Sequence, residues 1–321
     1  MTSLYVVSPG IFTTLQDAGR WGYQHLGVPP SGPMDTLLHS LANRLVNNSS
    51  DCGALEFTIN GGQYRVQDGT CRVAVVGDAD LSINGEPVSA WRSYTLGEGT
   101  VLRIGSLRTG LRGYLAVAGG FAIQPVLGSV STLTRAALGG VTGQALKKDD
   151  ELPLRLHQAP DASCLKTPDG TSLHTLPWHQ QQGPFRIVLG PQDDAFTADA
   201  IQDFLRGDYK ILPASDRMGY RLSGPLIRHH TGHDIISDAI AYGAIQVAGD
   251  EQPIIALNDR QTIGGYPKIA VVSRTDLGRL AQLRPGSQLK WRAISVDKAI
   301  ALWRHTYGVS QQFISRLTPI S

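Results

Sequence analysis

Short apolar runs alternate with glycine-, asparagine- and aspartate-rich breaks along most of this chain, the pattern of closely spaced strands rather than long helices. Between residues 54 and 120 the runs ALEFTI, RVAVVG, DLSI, TVLRIG and RGYLAVAGG follow one another, with Asn60-Gly61 and Asn84-Gly85 among the breaks. Asn-Gly steps mark tight hairpins, so this half predicts a barrel or sandwich. In the second half FRIVLGP, GAIQV, PIIAL and IAVVS read as further strands. Helical spacing is confined to three places. Leu37, Leu38, Leu41 and Leu45 predict a helix over residues 35–46 with Asp35 as N-cap, and Phe196, Ala200, Ile201, Phe204 and Leu205 predict another, ended by Gly207. A terminal helix starts at Ser295 and Asp297, carries Ala299, Ile300, Leu302 and Trp303, and is expected to lie on the second barrel.

Between these elements, TTLQDAGRWGYQHLGVPPSGPMD predicts a long ordered loop pinned by Leu15, Trp21, Tyr23, Leu26 and Val28. Residues 121–150 are looser and rich in Ser, Thr and Gly, suited to cradling an anion. Turn formers without periodicity place a linker at residues 157–183, between domains 1–156 and 184–321. The halves echo each other. Arg20-x-Gly22-Tyr23 recurs as Arg217-x-Gly219-Tyr220, and Leu96-x-x-Gly99-x-x-Leu102-x-Ile104 as Leu283-x-x-Gly286-x-x-Leu289-x-Trp291. Two copies of one β-rich domain explain the echo, and duplicated domains often form a ligand cleft where they meet.

Composition narrows the function. The 321 residues include 36 glycines and only 17% charged residues, with a net charge of +2 and no block of like charges. Nucleic acid and anionic membrane surfaces are therefore not expected partners. Cys52, Cys71 and Cys164 have neither disulfide nor zinc spacing, which fits a reducing compartment. The start, MTSLYVVSPG, lacks a leader pattern and no apolar run approaches the roughly 18 residues of a membrane span, so a cytoplasmic protein is expected.

The densest chemistry lies at residues 258–269, NDRQTIGGYPKI. Gly264 and Gly265 are suited to positive φ or close approach to a ligand, Pro267 stiffens the turn, and Asp259, Gln261, Thr262, Tyr266 and Lys268 offer acceptors, donors and a cation in a segment too short to bury them individually. A polar hairpin turn is the alternative. Arg20 and Arg217, each followed by glycine and tyrosine (Tyr23, Tyr220), suit a planar fork on a ligand's carboxylate or phosphate, or equally an internal carboxylate such as Glu56 or Asp216. Ser31 and Gly32 precede the first helix and offer backbone N–H groups to an anion, though N-capping by Asp35 explains much of that segment. His229, His230 and His233 lack the companions of a metal site. Walker A, dinucleotide and serine-elbow motifs are absent.

The segments TTLQDAGRWGY, GVPPSGPMD, ALEFT, YLAVAGGF, LGSVST, SDRMGYRLSG, GAIQV and NDRQTIGGYPKIAVV resemble, in order and over nearly the whole chain, the biotin-dependent carboxyltransferase family, also called allophanate hydrolase subunit 2. The resemblance implies a mainly β chain with a few helices, built as two tandem cyclophilin-like β-barrel domains. Its members include the C subunit of bacterial ATP-dependent 5-oxoprolinase and part of urea carboxylase. The free-standing length, with no biotin-attachment lysine, resembles the former. That implies work with a homologous B subunit, using ATP, to phosphorylate 5-oxoproline before the lactam-hydrolysing A subunit opens the ring to L-glutamate, and little activity alone. In such a site Asp259, Lys268 and Arg217 are the implied catalytic residues, with Arg20, Tyr23, Ser31, Gly32, Asp35, Tyr220, Gln261, Thr262, Gly264, Gly265 and Tyr266 around the substrate. Alternatives are a carboxyltransferase using carboxybiotin and a non-catalytic regulator of a sensor kinase. Ile263 replaces the second threonine of the family's usual QTTGGYP, and Ala248 stands where a proline is common.

Overall fold

The computed structural model describes residues 1–180, 183–230 and 232–320. The chain forms two compact units, one made of Met1–Arg20, Ser31–Gln180 and Ser310–Ser321, the other of Trp21–Pro30 and Gln181–Val309. Both are mainly β, with four α-helices among the described residues: α1 (Thr36–Leu45), α2 (Ala198–Arg206), α3 (Arg274–Ala281) and α4 (Val296–Ile314).

In the first unit a six-stranded antiparallel sheet runs in the order Glu151–Pro153, Ser3–Ser8, Asn60–Gln67, Val101–Leu107, Ala79–Ile83, Glu86–Val88. A seven-stranded sheet runs Phe12–Gln16, Ala54–Thr58, Arg112–Val117, Cys71–Val76, Arg92–Leu96, Leu165–Lys166, Thr318–Pro319. Side-chain alternation explains how they pack. Cys71, Val73 and Val75 join Leu115 and Val117 in a core shared with Leu4, Tyr64, Leu81, Leu102 and Ile104 of the other sheet. The intervening Ala74, Val76, Tyr114 and Ala116 point the other way, into a second cluster with Leu38, Leu41 and Leu45 of α1. Both faces of the central strands are therefore covered, which is why CRVAVV is apolar on both faces apart from Arg72. Asp35 caps α1, accepting the Leu38 N–H at 3.1 Å.

The second unit's eight-stranded sheet runs Gln288–Leu289, Tyr209–Ile211, Gly219–Ser223, Pro253–Ala256, Ala244–Val247, Lys268–Val272, Phe185–Leu189, Trp291–Ala293. Its two edge strands are consecutive in sequence, with only Lys290 between them, so the sheet curls until it nearly closes into a barrel. Phe185, Phe204, Tyr209 and Trp291 stack in its core, with ring centroids 5.6–6.4 Å apart.

The expected echo has a structural counterpart. Gly99 and Gly286 both take positive φ, at 76° and 92°, and each donates its N–H to a neighbouring strand, Gly99 to the Val66 carbonyl at 2.9 Å and Gly286 to the Ile211 carbonyl at 2.8 Å. The leucines and Trp291 that follow are buried in both halves. Asn84 and Gly85, with φ of 51° and 89°, make the expected hairpin turn.

Four expectations are corrected. Asn60-Gly61 is not a turn but the start of strand Asn60–Gln67, the reversal falling at Ile59 with φ of 64°. The long loop contains strand Phe12–Gln16, which its polar pattern hides because register with Ala54–Thr58, rather than apolarity, holds it in the sheet. Residues 157–180 are packed into the first unit, burying Leu173, Leu176 and Trp178; Gln181 and Gln182, the rest of the expected linker, lie outside the described residues. Finally, α4 does not belong wholly to the second barrel. Its last turn carries Phe313 against Trp178, 5.4 Å between ring centroids, and residues 318–319 pair with Leu165–Lys166.

Candidate functional site

The stretch 258–269 leaves the sheet after Pro253–Ala256 and re-enters it at Lys268–Val272. It is not a solvated turn. Asn258, Asp259, Arg260, Thr262 and Lys268 are all 8% exposed or less. Burial of polar groups demands partners, and residues 235–247 supply several of them. Ile263–Gly264 pairs with Asp238–Ala239, and the carbonyls of Thr262, Gly265 and Pro267 accept the N–H groups of Ile240, Ile235 and Val247 at 3.0, 2.8 and 3.1 Å. This corrects the expectation that so short a segment leaves its polar side chains uncovered. Neither Gly264 nor Gly265 has positive φ. A Cβ at Gly264 would instead lie 2.7 Å from Ile240 Cδ1 and 3.0 Å from Gln246 Nε2, so close packing is what small size serves there.

Lys268 is 2% exposed, yet its ammonium reaches a half-exposed carboxylate: Nζ lies 2.8 Å from Asp238 Oδ2, whose side chain is 50% exposed. Gln192 ties the pair together. Its Nε2 donates to Asp238 Oδ2 at 3.2 Å and its Oε1 accepts the Lys268 N–H at 3.2 Å. The hydrogen bond from Lys268, then the Ala239 N–H, hold the Asp238 carboxyl below its ordinary pKa, so it stands ionised at the surface. Chemically this is a fixed cation with an accessible acceptor beside it, able to receive a polar N–H while the ammonium faces developing negative charge. Tyr266 (40% exposed) and the exposed Gln261 and Ile263 lie on the same stretch. Asp238 and Gln192 escaped sequence reasoning. They stand 30 and 76 residues from Lys268 in unremarked polar segments, and no local signal marks them.

Arg217 and Asp259 form a separate pair. Arg217 Nε and Nη2 donate to Asp259 Oδ2 and Oδ1 at 2.9 and 3.2 Å, with both side chains 8% exposed or less, and the Asp259 N–H donates to the Arg217 carbonyl at 2.9 Å. Asp259, expected as an acid or base beside Lys268, is thus held in a bidentate fork with Arg217. Arg217 thus meets an internal carboxylate, Asp259. Arg260 is buried alongside, donating to the carbonyls of Ile240 and Leu257, and burial lowers its pKa. Tyr220 is buried in strand Gly219–Ser223.

The first unit uses its expected site residues inside the fold. Arg20, 1% exposed, donates to the carbonyls of Val126 and Ser131 at 3.3 and 2.6 Å. Asp17 grips the same loop from the other side, accepting the hydroxyls of Ser129 and Ser131 and the Val130 N–H. Burial pushes its carboxyl up, but these hydrogen bonds outweigh burial and leave its pKa lowered. The segment expected to cradle an anion therefore spends these donors on Asp17. Before α1, the Gly32 N–H donates to Gln16 Oε1 (3.1 Å), Met34 N–H to Glu56 Oε2 (2.8 Å) and Asp35 N–H to the Tyr114 hydroxyl (2.9 Å). Ser31 is buried with φ of 57°, and Asp35 Oδ2 lies 2.8 Å from His179 Nε2. Tyr23 belongs to the second unit, where its carbonyl accepts the N–H groups of Leu26 and Val28.

Among the described residues no group of three or more His, Cys, Asp or Glu is placed to hold a metal ion. No helix among them is long and apolar enough to cross a membrane.

The sequence matches the family described as carboxyltransferase domain, subdomain A and B, over residues 26–293. The chain belongs to this family. Among its relatives, the 5-oxoprolinase C subunit of Escherichia coli (strain K12) is 32% identical over 316 residues, covering 98% of each chain. The 5-oxoprolinase C subunit of Haemophilus influenzae is 33% identical over 91% of each. Urea amidolyase of Lachancea kluyveri is 33% identical over 92% of this chain but only 17% of its own length. The solved urea carboxylase of Kluyveromyces lactis superposes with a TM-score of 0.86 at 28% identity, over 99% of this chain and 30% of that one. Carboxyltransferase-family architecture thus extends over both units.

Proposed function

We propose that this chain is the C subunit of an ATP-dependent 5-oxoprolinase, working with a homologous B subunit to activate 5-oxoproline before the A subunit opens the ring to L-glutamate. The observation that carries this reading is coverage. The match to a protein named as the 5-oxoprolinase C subunit extends over 98% of both chains, whereas the urea amidolyase relative shares only 17% of its length. In this reading Lys268 and Asp238 are the working pair: Asp238 accepts the lactam N–H and Lys268 stabilises negative charge on the ring oxygen. Arg217 and Asp259 hold the loop that carries Lys268. The segment leading into α1 does not offer a nucleotide phosphate the N–H groups of Gly32, Met34 and Asp35, because these already serve Gln16, Glu56 and Tyr114. ATP is assigned to the assembled complex, and the complex to the cytoplasm.

The test is glutamate formation from 5-oxoproline and ATP by this chain with the purified A and B subunits, each component omitted in turn. Activity that needs all three is expected; full activity without this chain would sink the reading. A second reading, carboxyl transfer from carboxybiotin, is favoured by the equal identity to urea amidolyase. It predicts glutamate formation to be absent and carboxylation to appear when a biotinylated carrier is supplied.

A further inference from the structure

A groove of about 1060 Å³ opens in the first unit, lined by none of the site residues described above. One wall is the edge of the six-stranded sheet, from Ala79 to Val88 with Arg103 and Arg108, and the other is the segment Lys166–Ser172. Its floor is built: Asp78 accepts the Trp91 indole N–H (3.0 Å) and the Leu173 N–H (3.2 Å), fixing the second wall to the first.

Two features of this groove ask for an anion. Arg92 and Lys166 are direct partners in the ladder between Arg92–Leu96 and Leu165–Lys166, so two cations face each other on one side of the sheet, an arrangement that costs stability unless negative charge intervenes. Asp169 answers only Lys166, at 2.8 Å. Arg92 makes no ion pair among the described residues, and its buried Nε has no hydrogen-bond partner there. On the opposite wall Arg103 is exposed and makes no ion pair among the described residues, while Arg108 has only a loose, exposed contact with Asp80 at 3.7 Å.

The spacing selects the kind of anion. Arg103 and Arg108 are anchored five residues apart along one strand and its end, about 17 Å for an extended chain. Arg92 and Lys166 stand on the other sheet. A compact anion engages one of these groups; carboxylates spaced along an extended segment engage both. Pro87 also matters. It is the middle residue of the edge strand Glu86–Val88 and has no N–H to offer an added strand, so recognition falls to side chains. We propose that this groove binds an extended acidic segment of a protein partner, held by Arg92, Arg103 and Arg108.

Fluorescence anisotropy with the full chain tests this, the probe being a labelled peptide of about ten residues alternating Glu and Ser. Saturable binding is expected, weakening steeply as salt rises. Reversing both wall charges, Arg103→Glu with Arg108→Glu, is expected to weaken it by about tenfold or more, and Arg92→Gln by severalfold. The control pair Arg292→Glu with Arg304→Glu, exposed in the second unit, leaves binding unchanged. Arg103 and Arg108 are exposed, so melting is expected to be unaltered; Arg103→Ser with Arg108→Ser replaces the reversal if it is not. Unchanged affinity in the groove variants overturns the proposal. So does citrate competing as well as the peptide, which marks a small-anion site, or a single-stranded oligonucleotide of equal charge binding as tightly.

Discussion

The same tetrapeptide pattern occurs twice, its arginine falling once in each unit, and that arginine is used in two ways. In Arg20-x-Gly22-Tyr23 the guanidinium is spent on backbone carbonyls of residues 126–131, while the nearby carboxylate, Asp17, takes the hydroxyls of that loop. In Arg217-x-Gly219-Tyr220 it closes a bidentate pair with Asp259. Arg20 therefore staples a loop with dipoles, whereas Arg217 neutralises a buried charge. A buried dipole left without its donor costs less than a buried ion left without its counterion. The recurrence of a motif thus says that an arginine will be buried there; what it binds depends on which group the rest of the fold delivers.

Arg217→Ala is the severest way to break this contrast. It strands the Asp259 carboxylate and is expected to cost about 3–5 kcal/mol in urea unfolding; a loss under about 1 kcal/mol would show that the carboxylate finds other donors. Next comes Arg20→Ala, expected to cost about 2–3 kcal/mol through lost charged hydrogen bonds. Arg20→Lys is expected to recover only part of this, because an ammonium cannot reproduce the planar fork. If Arg20→Ala proves the worse of the two alanine variants, the ranking of ion over dipole is wrong here.

A third pair sharpens the comparison by separating stability from activity. Asp238 is half exposed and can rehydrate, so Asp238→Asn is expected to shift the unfolding midpoint less than Arg217→Ala does. In the reconstituted complex it is nonetheless expected to lower glutamate formation by about a hundredfold, as loss of a preorganised group at the reacting atoms does. Wild-type turnover in Asp238→Asn would remove the residue from the site.

The smallest effect concerns pH. His39 of α1 is buried with Nε2 3.1 Å from the Gln16 carbonyl, which only accepts, so the ring donates there. Burial lowers its pKa, against weaker opposing effects from Gln16 and Glu56. The folded state therefore binds fewer protons than the unfolded one below the ordinary imidazole range. Its contribution is complete above that range and is lost as pH falls towards the depressed value. Unfolding midpoints at about pH 7.5 and about pH 5.5 are expected to converge in His39→Gln relative to wild type; an unchanged gap would exclude His39 as a source of the pH dependence.

Much of the fold was legible along the chain because its signals are local. The apolar runs RVAVVG and RGYLAVAGG, the Asn84-Gly85 turn, the α1 leucines behind Asp35 and the Leu-x-x-Gly-x-x-Leu echo each depend on residues a few positions apart. Helix α3 (RTDLGRLA) was not foreseen, since its interior glycine and short length weaken the periodic signal, and its cohesion comes partly from Asp276 binding Arg186, 90 residues away. The site was half legible. Residues 258–269 stood out for their polar density, and Lys268 within them, but the pairing of Lys268 with Asp238 rather than Asp259 did not.

The sequence by itself determined a mainly β chain, its family, and which stretch concentrates polar chemistry, because periodicity, turn residues and motif order are all written within short windows. Only the tertiary structure decided that Arg20 binds carbonyls, that Asp259 belongs to Arg217, and that Asp238 and Gln192 come to Lys268. Partners for buried charges are chosen by which strands lie side by side, and that adjacency joins residues tens of positions apart with no local trace.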